Sequence, residues 1–126
     1  MIDNKFNNLT TEQSNLILLK VLCILEEKKY SQLVNWPFED ISIDDIFSQI
    51  HTIYSSLNLR ESFVKFCSRH IEQKKQYSVV EGICNLLMLF EELERYEDCI
   101  ILKNIKNNIL LDMQRELLNK SSIVYF

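Results

Sequence analysis

Glycine and proline are almost absent. Gly82 is the only glycine and Pro37 the only proline among 126 residues, against roughly 7% and 5% in ordinary proteins. Sandwiches and barrels need many turns with positive φ, which glycine supplies. A chain this poor in glycine is expected to have few turns and long helices. The same scarcity excludes P-loop and dinucleotide-binding patterns, and with them the usual nucleotide hydrolases. Long apolar runs are missing too. No unbroken run exceeds that of Leu86–Phe90, far too short to cross a bilayer. The N-terminal "MIDNKFNNLTTEQ" has no basic segment followed by an apolar core, so no signal peptide is expected.

Cys23, Cys67, Cys84 and Cys99 contain no C-x-x-C pair. Each falls among apolar helical positions. They read as buried thiols in a reducing cytoplasm, with a disulfide framework or a zinc site as the alternatives. His51 and His70 are the only histidines, and neither belongs to an H-E-x-x-H or an i, i+4 ligand pair. No metal and no cofactor is expected.

What is present is ordinary globular composition: 47% hydrophobic and 25% charged residues, with a net charge of −4. Such a chain can bury about two-thirds of its unfolded surface and needs no metal or disulfide to fold. The mild negative charge does not suit a nonspecific polyanion binder. It suits solubility and tolerates a basic partner.

The apolar spacing predicts an all-α bundle of about five helices in one domain, residues 1–126. Neighbouring helices are expected to be mostly antiparallel, joined by short corners. Residues 1–9 are expected to be a flexible N-terminus. Thr10 and Gln13 have capping-box spacing, and helix follows to about Lys29. Leu16, Leu19, Leu22 or Cys23, and Leu25 or Glu26 follow at helical intervals. "YSQLVNW" reads as a short further segment stopped by Pro37. The clearest loop is 36–41, because a residue before proline is pushed out of the helical region.

Ser42 then caps a second long helix, with Asp44 and Asp45 in its first turn. A third runs from Arg60 to about Lys75 with the stripe Leu59, Phe63, Phe66, Cys67, His70 and Ile71. Ser78 and Glu81 have capping-box spacing for a fourth helix, apolar nearly all round and therefore central. Gly82 inside it costs about 1 kcal/mol relative to alanine and reads as the mark of a close helix crossing. The last helix is expected over Glu97–Leu118. The "IVYF" tail is expected to dock on its own domain or on a second copy.

Three corners share a chemistry of polar residues, a tyrosine, a capping residue and then apolar positions: Tyr30-Ser31, Tyr77-Ser78 and Tyr96-Glu97. Their spacing is not constant, so no solenoid array is expected. At the third corner Tyr96 is expected to wedge its ring between two helices and keep its hydroxyl wet.

The stretch "ERYEDCIILKN" resembles the corner of tetratricopeptide-type helical hairpins. Arg95, Tyr96, Glu97, Cys99 and Ile100 match R-Y-E-x-A-h, with Cys99 in the small-residue place. Lys103 and Lys106 depart from it. The stretch is also similar to the Y-E-x-A-A-x-L-R-D hairpin through which bacterial excision-repair subunits touch, with Lys103 and Asn104 in the R-D places. Both resemblances imply protein binding and no catalysis.

For a binding surface, Trp36 and Phe38 flank Pro37 beside Glu39, Asp40, Asp44 and Asp45. A second acidic group is Glu91, Glu92, Glu94, Glu97 and Asp98. Loop aromatics beside carboxylates suit a basic partner. Equally, the aromatics can plug the core and the carboxylates can complement helix dipoles. An alternative surface is the basic face Arg60, Lys65, Arg69, Lys74 and Lys75, which could follow a phosphate backbone.

No catalytic residues stand out. The expectation is a non-catalytic, cytoplasmic module that binds one protein, with no membrane partner and with a homodimer compatible. A small inhibitor fits, such as a bacterial toxin-immunity or phage anti-defence protein. Small size, acidity and a usage rich in Asn, Lys and Ile suggest it. The alternatives are a nucleic-acid-binding regulator using helix 60–75, and a secretion or assembly chaperone.

Overall fold

A computed structural model describes residues 5–26, 36–74 and 77–124, with side chains to Leu118. Among the described residues the protein is an all-α bundle of five helices: α1 (Thr11–Glu26), α2 (Ile43–Tyr54), α3 (Leu57–Lys74), α4 (Ser78–Glu92) and α5 (Tyr96–Val124). No helix among these residues is long and apolar enough to cross a membrane.

Local signals set most helix starts. Thr10 and Gln13 form a reciprocal capping box: Gln13 N–H donates to Thr10 Oγ1 at 3.1 Å and Thr10 N–H to Gln13 Oε1 at 2.9 Å. Ser42 and Asp45 make the same exchange at the start of α2. This satisfies backbone donors that a helix start leaves orphaned. Ser78 does not cap α4. It is the first helical residue, and Tyr77 occupies the cap position without a side-chain hydrogen bond. The helix thus begins one residue earlier than the Ser78–Glu81 spacing suggested. Between α2 and α3 the chain breaks at Ser55–Ser56, and α3 opens at Leu57, three residues before the expected Arg60. Helix α5 starts at Tyr96 and runs to Val124, well past Leu118.

Some helices that are not adjacent in sequence run in the same sense. Helix α1 packs chiefly on α4. Leu22 faces Gly82, and three residues further along both helices Asn85 Nδ2 donates to the Leu25 carbonyl at 2.7 Å. The two helices therefore run in the same sense. Helices α1 and α3 also run in the same sense, because Asn15 bonds Ser62 and Cys23 meets His70, both pairs 47 residues apart. Lys65 of α3 meets Asp112 of α5, so α3 packs between α1 and α5. The α4–α5 hairpin is antiparallel: the Cys99 thiol donates to the Leu87 carbonyl at 3.9 Å, across the corner.

The core gathers Leu18, Leu22 and Leu25 of α1, Ile46 and Ile50 of α2, Phe63 and Cys67 of α3, Ile83, Leu86 and Phe90 of α4, and Leu102 and Ile105 of α5. Phe6 is buried as well, and Leu9 packs beside it. The segment before α1 is thus held by the core from Phe6 onward. Helix α4 is central as its composition suggested, touching α1, α3 and α5. It keeps one open strip along Glu81, Cys84 and Met88.

Cys84 is therefore exposed and Cys23 half-buried, whereas Cys67 and Cys99 are buried; none of the four is in a disulfide. Burial pushes the Cys67 thiol well above its ordinary range. Leu16, expected on a buried stripe, is exposed, and His70 and Leu59 are only half-buried. The "YSQLV" segment and the final side chains of the "IVYF" tail lie outside the described residues.

Candidate partner-binding surface

The loop before α2 closes on itself. The Trp36 indole N–H donates to the Ile41 carbonyl at 2.8 Å. The Trp36 and Phe38 rings meet edge-on at 5.1 Å, and both are half-buried against the core. The two aromatics thus seal the core under the loop and are not free anchors. Glu39, Asp40 and Asp44 are exposed, but Asp45 is buried with its carboxylate committed to the α2 cap. Asp45 therefore leaves the set of acidic residues open to a partner.

The α4–α5 corner is seated on α2. Phe90 meets Phe47 with the rings tilted and their centroids 4.7 Å apart, and the Arg95 guanidinium lies 4.0 Å above the Phe47 ring. Asp98 ties the corner down. One carboxylate oxygen meets His51 Nε2 at 2.5 Å and the other accepts from Arg95 Nε at 2.7 Å. Its side chain is only 4% exposed. At the first turn of α5 its charge also faces the positive end of the helix dipole. Asp98 is thus a structural clasp and not a surface carboxylate. Its two partners come from a distant helix and from the corner itself, so spacing along the chain did not reveal the clasp.

Glu94 turns the chain. Its φ is 59°, in the left-handed region. Around it Arg95 N–H donates to the Phe90 carbonyl at 2.9 Å and Glu94 N–H to the Glu91 carbonyl at 3.0 Å. This is the Schellman closure of a helix end, whose left-handed position usually holds glycine. A left-handed L-residue costs roughly 1–2 kcal/mol, and glycine gives some of that back as chain entropy. Glu94→Gly is therefore expected to stabilise the protein by about 0.5–1 kcal/mol, read as a raised thermal midpoint; an equal or lowered midpoint would contradict this reading of the corner.

What the corner leaves open is distinctive. Glu91, Glu92, Glu94 and Glu97 are exposed. Among them stand Leu93 at 36%, Tyr96 at 62% and Ile100 at 66% exposure. Tyr96 does not wedge between helices. Cys99 takes the inward place against α4, which turns Tyr96 and Ile100, four residues apart, to the same outer face. The signal for this lies in helical spacing: with Cys99 inward, Ile100 is rotated by about 100° from it, and Tyr96 lies one turn before Ile100 on the same face.

The basic face is partly consumed within the fold. Lys65 Nζ donates to Asp112 at 2.6 Å and lies 3.9 Å from Glu116. Ser68 Oγ donates to the other Asp112 oxygen at 2.6 Å. Arg60 donates to the Tyr54 carbonyl at 2.8 Å and lies over the Tyr54 ring. Arg69 and Lys74 remain exposed, while Lys75 lies outside the described residues.

Both histidines find partners, His51 in Asp98 and His70 in Cys23. Among the described residues no three His, Cys, Asp or Glu side chains converge where a metal could be held. Comparison with protein families, curated proteins and solved structures gives no match.

Proposed function

We propose that this chain is a non-catalytic protein-binding module, an inhibitor of the toxin-immunity or anti-defence kind, that engages one protein through the α4–α5 corner. The observation that carries the reading is the ridge of Leu93, Tyr96 and Ile100 standing in a ring of exposed glutamates. Apolar and aromatic anchors inside a polar rim are the usual anatomy of an interface. The carboxylates select and steer a basic partner. The Asp98 clasp holds the ridge before binding, which lowers the cost of ordering it. The R-Y-E hairpin resemblance supports the same corner as a protein-contacting element. A phosphate-tracking role for α3 is less favoured, because Arg60 and Lys65 are already paired inside the fold.

The test is capture of the tagged protein's partner from host lysate after nuclease treatment, beside the Ile100→Glu variant. One protein recovered near equal amounts with the wild type and lost with Ile100→Glu is the expected result. Recovery that is unchanged by Ile100→Glu would refute the corner. Nucleic acid alone, recovered only without nuclease, would turn the assignment to α3.

A further inference from the structure

A second feature lies away from the corner and is independent of it. An open cleft of about 980 Å³ runs between α1, the end of α3 and the start of α4. Cys23 and His70 both line it, and Cys23 Sγ lies 3.9 Å from His70 Nε2. The other charged groups facing the cleft are Lys20 of α1, Lys74 of α3 and Glu81 of α4. Two lysines therefore face one carboxylate, and Tyr77 is the remaining titratable group of the lining. Cys67 sits one helical turn before His70 on α3 but is fully buried. A partly exposed thiol beside a histidine and lysines is the setting in which cysteines become reactive, because the thiolate is the nucleophile.

We propose that Cys23 is the reactive thiol of this protein, with His70 as its proton acceptor and low-molecular-weight disulfides as the substrate class. With its own proton on Nδ1, His70 offers the Nε2 lone pair to the thiol. The proton moves from Cys23 Sγ to Nε2. The thiolate attacks one sulfur of a disulfide RS–SR, and the Cys23–S–SR bond forms as the RS–SR bond breaks. The leaving thiolate takes the proton from Nε2 and departs as RSH. Cys23 is oxidised, one R–S group is reduced, and the imidazole returns neutral. The product is a mixed disulfide in the cleft, a reversible modification.

The protein supplies its own control. Cys84 is exposed on the open strip of α4, one turn from Glu81, and does not line the cleft, so access alone favours Cys84 over Cys23. The experiment incubates the full chain with hydroxyethyl disulfide across a pH series and reads each mixed disulfide by peptide mass spectrometry. At pH 7 Cys23 is expected to react about threefold or more faster than Cys84, the balance of more thiolate against lower intrinsic nucleophilicity. Its rate is also expected to level off at a lower pH than that of Cys84. His70→Gln, at a half-buried site, is expected to bring the Cys23 rate down to that of Cys84 or below and to move its pH profile upward. A Cys23 rate no faster than that of Cys84 in the wild type would overturn the proposal with no variant needed. So would a His70→Gln protein, folded by circular dichroism, whose rate and profile are unchanged.

Discussion

Replacing Gly82 with alanine is expected to cost about 3 kcal/mol, although alanine is the better helix former by about 1 kcal/mol. A β-carbon built on Gly82 would fall 1.9 Å from the Leu22 carbonyl oxygen and 2.6 Å from its carbon. Those atoms are backbone of the facing helix, so no side-chain rotation relieves the clash. Helices α1 and α4 would have to move apart, and this contact is the largest helix pairing in the fold. Interiors are packed too tightly to absorb such a shift locally. The thermal midpoint is expected to fall by roughly 10 °C. Cys84→Ala, two residues on but exposed, serves as the control and should stay within about 0.5 kcal/mol of the wild type. A Gly82→Ala protein as stable as the control would mean that α1 and α4 do not cross there.

Asp112→Ala is expected to cost about 2 kcal/mol near neutral pH, through the loss of two charge-assisted hydrogen bonds at a buried site. Asp112 is 7% exposed and joins α5 to Lys65 and Ser68 of α3. Burial pushes its carboxyl upward, but the hydrogen bonds from Lys65 and Ser68 and the charge of Lys65 outweigh this and hold it below the usual 3.8. A carboxyl lowered in the folded state stabilises above its unfolded value and loses that contribution as pH falls through the folded one. The gap in stability between wild type and Asp112→Asn should therefore be constant above pH 3.8 and close progressively below it. Lys65 is shifted the other way, above 10.5, chiefly by the Asp112 hydrogen bond. Its share is present below that value and is lost only in stronger alkali. Chemical denaturation at a series of pH values measures both arms. A gap that persists unchanged down to pH 2 would show that the charge of Asp112 contributes nothing.

Local chemistry was legible in the sequence and long-range chemistry was not. The Thr10–Gln13 and Ser42–Asp45 boxes, the loop at Pro37 and the crossing at Gly82 each depend on residues within one turn, or on the cost of one residue type. The same-sense pairing of α1 with α3 depends on contacts 47 residues apart, which no local period announces. Asp98 was expected among the surface carboxylates, because α5 taken alone buries neither it nor Asp112. A neighbouring helix supplies the partner that buries them. Cys84 and Leu16 show the opposite error. An apolar residue in an apolar run was expected inside, but α4 has neighbours on only part of its circumference and α1 is open toward the cleft. Trp36 and Phe38 drew attention as loop aromatics, yet the short Trp36–Ile41 hydrogen bond folds them back onto the core. The outward anchors came from helix residues, Tyr96 and Ile100, beside Cys99.

The most direct test of the central claim is titration of the purified partner, once captured, against two variants of this protein. One carries Tyr96→Ala with Ile100→Glu in the corner; the other carries Trp36→Ala with Phe38→Ala in the loop. The expected result is a loss of roughly 30-fold or more in affinity for the corner variant, as for the removal of a hot spot worth about 2 kcal/mol. The loop variant should keep its affinity within a few fold while losing thermal stability. Full affinity in the corner variant, with the loss falling on the loop variant, would contradict the account and return the binding surface to the loop before α2.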